Sequence, residues 1–130
     1  RRAKMILVVG GMFQHKLSFV RDKFNVDEKD IIFCGEDIPL GPFEKKVLYG
    51  FNGIIKKWFN GGLDAQKAVV DFFKNSKNCV IIADQRGCGV VPIDQNERLL
   101  REFEGRVLCG ISKISDEVYN VCFGIGKRIK

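Results

Sequence analysis

Short runs made almost entirely of apolar residues constrain the fold of this chain most strongly. Residues 5–9 read MILVV, residues 31–34 read IIFC and residues 79–83 read CVIIA. A strand that is apolar at nearly every position is buried on both faces, which is typical of a parallel sheet covered by helices on each side. A fourth run, residues 118–123, is interrupted by Asn120, so we expect it nearer an edge of the sheet.

Patterns with helical periodicity lie between these runs, over residues 16–24, 43–59 and 63–74. A fourth helix is predicted from Asp94 onward, because DQNE after a proline resembles a capping box. The alternation of strand and helix predicts one three-layer α/β domain, residues 1–130, with a mainly parallel sheet. The apolar stripes of the four helices contain Leu17, Val20 and Phe24; Val47, Leu48, Phe51, Ile54, Ile55, Trp58 and Phe59; Val69, Val70 and Phe73; and Leu99, Leu100 and Phe103.

The charge of the chain is concentrated at its two ends. Of 22 basic residues, six lie within residues 1–4 and 127–130, which leaves 16 basic residues against 16 acidic ones in the body. This distribution argues against a basic face that follows a nucleic-acid backbone. No apolar run approaches the ~20 residues of a membrane-spanning helix, so we expect a cytoplasmic protein with neither a nucleic-acid nor a membrane partner.

The five cysteines are Cys34, Cys79, Cys88, Cys109 and Cys122. Their number is odd and none forms a C-x-x-C pair, and we expect no signal peptide before them. This usage predicts reduced, buried thiols and no metal site.

A broken phosphate-binding motif follows the first apolar run. Residues 10–17, GGMFQHKL, have the layout of the Walker A loop, G-x-x-x-x-G-K-[ST], but only Gly10 and Lys16 fit it. His15 replaces the second glycine, and Leu17 replaces the hydroxyl that binds Mg²⁺. Ser18 is a poor substitute, because one step along a helix turns a side chain by about 100°. Two interpretations remain: a nucleotide-binding loop, or a Gly-Gly turn with a solvated lysine.

The second half of the chain carries three further motifs. Residues 84–92 read DQRGCGVVP, residues 98–106 read RLLREFEGR and residues 116–119 read DEVY. In this order and spacing, residues 80–130 resemble the C-terminal half of adenosylcobinamide kinase / adenosylcobinamide-phosphate guanylyltransferase, the P-loop enzyme of cobalamin nucleotide-loop assembly. The opening MILVVGG is also similar to the start of that family.

The resemblance implies a P-loop NTPase fold of the RecA-like type, with GTP or ATP and Mg²⁺ as ligands. It also implies adenosylcobinamide as a partner and a homo-oligomer. The nucleotide-binding residues that it implies are Gly10, Gly11, His15 and Lys16, and those of a second active-site loop are Asp84, Gln85, Gly87, Gly89, Pro92, Arg98 and Arg101.

The chain departs from the family where chemistry is expected. Gln14, His15 and Leu17 differ from the family's phosphate loop, and residues 36–42 contain no histidine to carry GMP. Gly50 occupies the place of an acidic residue. The family's Asn-Glu pair is replaced by Asp84 and Gln85, and no catalytic residue is assigned.

Three hypotheses follow from this pattern. The first is a degenerate relative that binds a nucleotide or a corrinoid and has lost guanylyl transfer. The second is an active adenosylcobinamide kinase whose metal ligands are reassigned to Asp84 and Asp37. The third is a structural subunit that oligomerises through Trp58 and Phe59 on the helix of residues 43–59.

Overall fold

The computed structural model describes residues 5–10, 16–34, 43–76, 78–84 and 94–130. Within these ranges the chain forms one six-stranded sheet and four α-helices. The strands are β1 (Ile6–Gly10), β2 (Ile31–Phe33), β3 (Val47–Tyr49), β4 (Val80–Asp84), β5 (Glu117–Cys122) and β6 (Ile125–Arg128). The helices are α1 (Lys16–Phe24), α2 (Asn52–Asn60), α3 (Ala65–Asn75) and α4 (Gln95–Ile114), and a 3₁₀ turn spans Glu28–Asp30.

The strand order across the sheet is β2-β3-β4-β1-β5-β6. All neighbouring pairs are parallel except the last, in which β6 runs antiparallel to β5. Every residue of β1 is buried, because β1 lies in the middle of the sheet between β4 and β5. The mainly parallel α/β sheet predicted from the apolar runs is therefore confirmed.

Helices cover both faces of this sheet. Leu7 and Val9 of β1 belong to a core cluster that includes residues of α2, α3 and α4. Ile6 and Val8 belong to a second cluster, which contains Val20 of α1. Because alternate residues of a strand point to opposite faces, the two clusters lie on opposite sides of the sheet, with α1 on one side and the other three helices on the other.

The predicted helix of residues 43–59 is wrong in its first half. Residues Val47–Tyr49 form β3, parallel to both β2 and β4, and α2 begins only at Asn52. Gly50 has a φ of +72°, which ends the strand in a conformation that favours glycine. A run as short as VLY satisfies helical and extended periodicity equally well, so its place between two strands decided its structure.

The α2 helix forms part of the core. Trp58 is 3% exposed and packs edge-on against Phe51 and Phe72. Phe59 is half-buried and packs against the same core and the ring of Phe103. Trp58 therefore packs within its own chain, and the feature on which we based an oligomeric surface is explained by core packing.

The C-terminal strand prediction is confirmed with a shift and an addition. The predicted strand of residues 118–123 is observed as β5, Glu117–Cys122. Phe123 and Gly124 have φ values of 52° and 78°, which is the two-residue type I′ turn of a hairpin. The hairpin returns as β6, which the sequence pattern did not predict because its residues Ile125–Arg128 are mostly exposed.

Two helical stripes differ from prediction by one residue. In α3 the buried residues are Ala68, Val69 and Phe72, whereas Val70 is 43% exposed. In α4 the predicted Asp94 cap is confirmed, since its carboxylate accepts a hydrogen bond from the Asn96 amide. Leu99, which we placed on the apolar stripe of α4, is 45% exposed.

The prediction of buried thiols holds for one of the described cysteines. Cys79 is buried, and Cys34 is half-buried with a pKa raised to about 12 by burial. Cys109 of α4 and Cys122 of β5 are exposed. Cys88 lies outside the described residues.

None of the helices in the described part of the chain is both long enough and apolar enough to cross a membrane.

Candidate functional site

We call the carboxyl ends of β1 and β4 the crevice, because the winding of the chain reverses between these two strands. The chain leaves β1 through α1 to reach β2 at one side of the sheet, and it leaves β4 through α4 to reach β5 at the other side. The helices after these neighbouring strands lie on opposite faces. Such a point, where the direction of winding reverses, is where open α/β sheets bind ligands.

Lys16 and Asp84 meet at this crevice. Lys16 is the first residue of α1, and Asp84 is the last residue of β4, directly beside Gly10 in the sheet. The Lys16 Nζ lies 2.7 Å from Asp84 Oδ1, with the two side chains 5% and 28% exposed. Burial of an ammonium group is costly without a paired charge, so Asp84 stabilises Lys16 in place. The interpretation of Lys16 as a solvated lysine is therefore wrong.

Gly10 is required by close packing at the same place. A Cβ atom on Gly10 would lie 2.5 Å from the backbone oxygen of Val121 in β5 and 3.4 Å from Lys16 Cδ. A side chain at this position would therefore collide with the neighbouring strand. Packing alone accounts for this glycine, so its fit to the phosphate-loop pattern is weak evidence for a nucleotide.

Asn52 links the end of β4 to α4. Its Oδ1 accepts a hydrogen bond from the Asp84 amide at 2.8 Å, and its Nδ2 donates to the Asp84 carbonyl at 3.1 Å. The same Nδ2 donates to Glu104 Oε2 at 2.8 Å. Asn52 and Glu104 are 7% and 4% exposed. One amide group therefore fixes the backbone under the Lys16–Asp84 pair and contacts a buried carboxylate.

Neither Asn52 nor Glu104 is among the site residues predicted from the sequence. Glu104 stands four residues after Leu100 and three before Val107, so a charged residue occupies a position facing the core of α4. That violation of the apolar stripe was the available signal for Glu104. Asn52 gave no comparable signal, because asparagine at the start of a helix is common.

A cavity of about 630 Å³ opens between α2 and α4 beside Asn52 and Glu104. Polar side chains such as Asn52 and Glu104 and the apolar side chains of Phe59 and Leu100 both contribute to its lining. Its described lining residues include Asn52, Lys56, Phe59, Glu97, Leu100 and Glu104.

Three of the residues implied by the family resemblance come together, and two more lie on α4. Gly10, Lys16 and Asp84 meet at the crevice. Arg98 is exposed near the start of α4. Arg101 lies on the same helix, with its Nη2 3.8 Å from Glu97 Oε1. The others lie outside the described residues: Gly11, His15, Gln85, Gly87, Gly89 and Pro92, together with Gln14 and Asp37.

Among the described residues, Lys16 and Asp84 give the crevice a cation and a carboxylate next to the start of α1. The first turn of α1 contains no acidic residue, so no carboxylate of that turn neutralises the positive end of the helix dipole. A lysine ammonium and a helix N-terminus together favour a phosphate group. A carboxylate at the end of the adjacent strand favours a hard cation such as Mg²⁺.

No protein-family model matches this chain, and no curated protein matches it either.

Proposed function

We propose that this protein is a nucleotide-binding member of the adenosylcobinamide kinase / guanylyltransferase family that has lost guanylyl transfer. The observation that carries the proposal is the buried Lys16 at the end of the central strand, paired with Asp84 on the neighbouring strand. This is the arrangement in which a P-loop fold holds a phosphate-binding lysine and a metal-binding acid.

The strand order supports a P-loop fold of the RecA-like type. The strand that precedes Lys16 is central, and the strand that ends in Asp84 is its parallel neighbour. The substitution of Leu17 for the Mg²⁺-binding hydroxyl supports the loss of efficient transfer, because Leu17 packs against the apolar core of the α1 face.

In the proposed bound state Lys16 exchanges its partner. Its ammonium leaves Asp84 and contacts the outer phosphate oxygens of a nucleotide. Asp84 then becomes available to Mg²⁺, which typically takes one or two carboxylates together with phosphate oxygens and water. The residues present fit this role, since Asp84 is 28% exposed beside the crevice. Mg²⁺ would neutralise phosphate charge when bound.

Calorimetric titration tests the proposal. The protein is titrated with GTP, ATP and adenosylcobinamide, each in the presence of Mg²⁺. We expect saturable binding of at least one nucleotide and a loss of affinity of about 10-fold or more in Lys16→Met, because a charged hydrogen bond is worth about 1.5–3 kcal/mol. Lys29→Met is the matched control, since Lys29 is 78% exposed and pairs only distantly with Asp27, at 3.8 Å. Absence of heat with every ligand would refute binding.

A second candidate is an active adenosylcobinamide kinase in which Asp84 has become the metal ligand. The position of Asp84, in register with Gly10 and 2.7 Å from Lys16, favours it. In this case the purified protein phosphorylates cobinamide in a Mg²⁺-dependent reaction, and Asp84→Asn abolishes turnover. Binding of nucleotide without turnover would leave the first proposal and remove this one.

A further inference from the structure

Glu104 is a buried carboxylate whose hydrogen bonding is incomplete. One oxygen, Oε2, accepts from Asn52 Nδ2 at 2.8 Å. The other oxygen, Oε1, is buried and has no hydrogen-bond partner among the residues that the structure describes. The residue as a whole is 4% exposed. A buried carboxylate oxygen without a donor is unfavourable, so this position has an unused capacity for a ligand.

The cavity between α2 and α4 lies against this carboxylate. Its described lining contains two acidic side chains, Glu97 and Glu104, and one basic side chain, Lys56. Glu97 pairs with Arg101, whose Nη2 lies 3.8 Å from Glu97 Oε1, so among the described lining residues the buried carboxylate of Glu104 is the group that favours a cation over an anion. The asparagines at positions 52, 60 and 96 add polar groups, and Phe59 and Leu100 add apolar contact area.

We propose that this cavity is a binding site for a small organic amine, whose ammonium group pairs with Glu104. The terminal torsion of glutamate is soft, so a small rotation presents Oε1 to the cavity while Oε2 keeps its bond to Asn52. An ammonium group supplies the donor that this oxygen lacks, and the short carbon body of the amine packs against Phe59 and Leu100.

The amine site is separate from the proposed nucleotide site and does not depend on it. The Lys16 crevice selects an anion, whereas the Glu104 cavity selects a cation. Asn52 touches both, because its amide bonds the Asp84 backbone and the Glu104 carboxylate. The two sites are therefore adjacent and have opposite charge preference.

Three probes of similar size and different charge test the inference by NMR, without any nucleotide. Isotope-labelled protein is titrated with butylammonium, 1-butanol and butyrate, and amide shifts are followed at Gly53 and Leu100. We expect saturable shifts with butylammonium at a Kd on the order of 1 mM, as befits a ligand of so few atoms. Butyrate and 1-butanol should bind at least about tenfold more weakly.

Glu104→Gln keeps the shape of the side chain and removes its charge. We expect it to weaken butylammonium binding about tenfold or more, whereas Glu102→Gln, an exposed carboxylate of α4 outside the cavity lining, should change it by less than about twofold. Equal binding of 1-butanol and butylammonium, no saturable shifts, or an unchanged affinity in Glu104→Gln would each overturn the proposal. If Glu104→Gln does not fold, the comparison of the three probes on the wild-type protein decides alone.

Discussion

Two glutamates are buried to nearly the same extent in this protein, and their surroundings differ. Glu117, 7% exposed, begins β5 at the amino edge of the sheet, and its Oε1 accepts a hydrogen bond from the Tyr119 hydroxyl at 2.5 Å. Glu104, 4% exposed, lies on α4 near the carboxyl end of β4, with one oxygen bound to Asn52. The chain itself supplies a strong donor to Glu117, whereas the second oxygen of Glu104 has none among the described residues.

Glu117 is a carboxylate that stabilises the fold, whereas Glu104 is one that is available to a ligand. Burial of a charged group costs free energy in both cases, and hydrogen bonds offset that cost only where they are made. The Glu117–Tyr119 pair is therefore interpreted as structural. Glu104 Oε1 stays buried without a hydrogen-bond donor next to a cavity, which lowers the stability of the fold. Such a loss of stability is expected at a binding site.

Asn52→Ala should change the stability of the fold most, because it removes the hydrogen-bond donor to Glu104 Oε2. The substitution leaves the Asp84 amide, the Asp84 carbonyl and the Glu104 carboxylate without their partner. We expect the free energy of unfolding to fall by about 3 kcal/mol, measured by urea denaturation. Asn75→Ala is the matched control, because Asn75 is exposed and makes one local bond to Asp71. Equal losses in the two variants would contradict the network.

Tyr119→Phe removes the hydroxyl that donates to Glu117 Oε1, so one hydrogen bond to a buried carboxylate is lost. We expect a loss of about 2 kcal/mol in the free energy of unfolding. The ring contacts of Tyr119 with Phe19 and Phe24 are retained in this variant, so the loss reports the hydroxyl. Tyr49→Phe on β3 is the comparison, and it should change stability little. A neutral Tyr119→Phe would mean that Glu117 resembles Glu104 after all.

Glu104→Gln should have a smaller effect of opposite sign. The variant removes a buried charge, and the oxygen of its amide can still accept from Asn52. We expect the free energy of unfolding of the unliganded protein to rise by about 1 kcal/mol, because burying an incompletely bonded charge costs more free energy than burying a neutral amide. Glu117→Gln should be destabilising. The opposite effects of these two isosteric substitutions test most directly whether Glu104 and Glu117 differ. A loss of stability in both variants would show that they do not.

The smallest expected change in the free energy of unfolding is the one that the titration of Tyr119 causes in alkaline solution. Burial raises the pKa of Tyr119, and the hydrogen bond to Glu117 raises it further. Its pKa is therefore higher in the folded state than the ordinary value of 10.0. The folded state then holds the proton more tightly, so this stabilisation is complete below pH 10 and is lost as the pH rises through the folded pKa. Urea unfolding at stepped pH should show this component in the wild type and not in Tyr119→Phe.

Several elements were predictable because their signals are local. The apolar runs of β1 and β4 predicted buried parallel strands, and Asp94 predicted the start of α4. The β3 strand was not predictable from VLY, because three residues do not distinguish one period from another. The β6 strand was missed because its exposed residues have no apolar pattern; its pairing with β5 makes it a strand.

The residues of the candidate site could likewise be predicted only in part. Lys16 and Asp84 were both singled out from motifs, but nothing in the sequence placed them within 2.7 Å of each other. Asn52 was overlooked altogether. Its importance comes from reaching both β4 and α4, which are distant from it along the chain.

That this chain buries apolar strands between two layers of helices can be read from its residues alone, because burial depends on the side chains and their spacing. Which polar groups meet within the interior depends instead on how the folded chain brings distant segments together. Hydrogen bonds and ion pairs require contact within a few ångströms, and strand order, which no local pattern contains, determines which residues come that close.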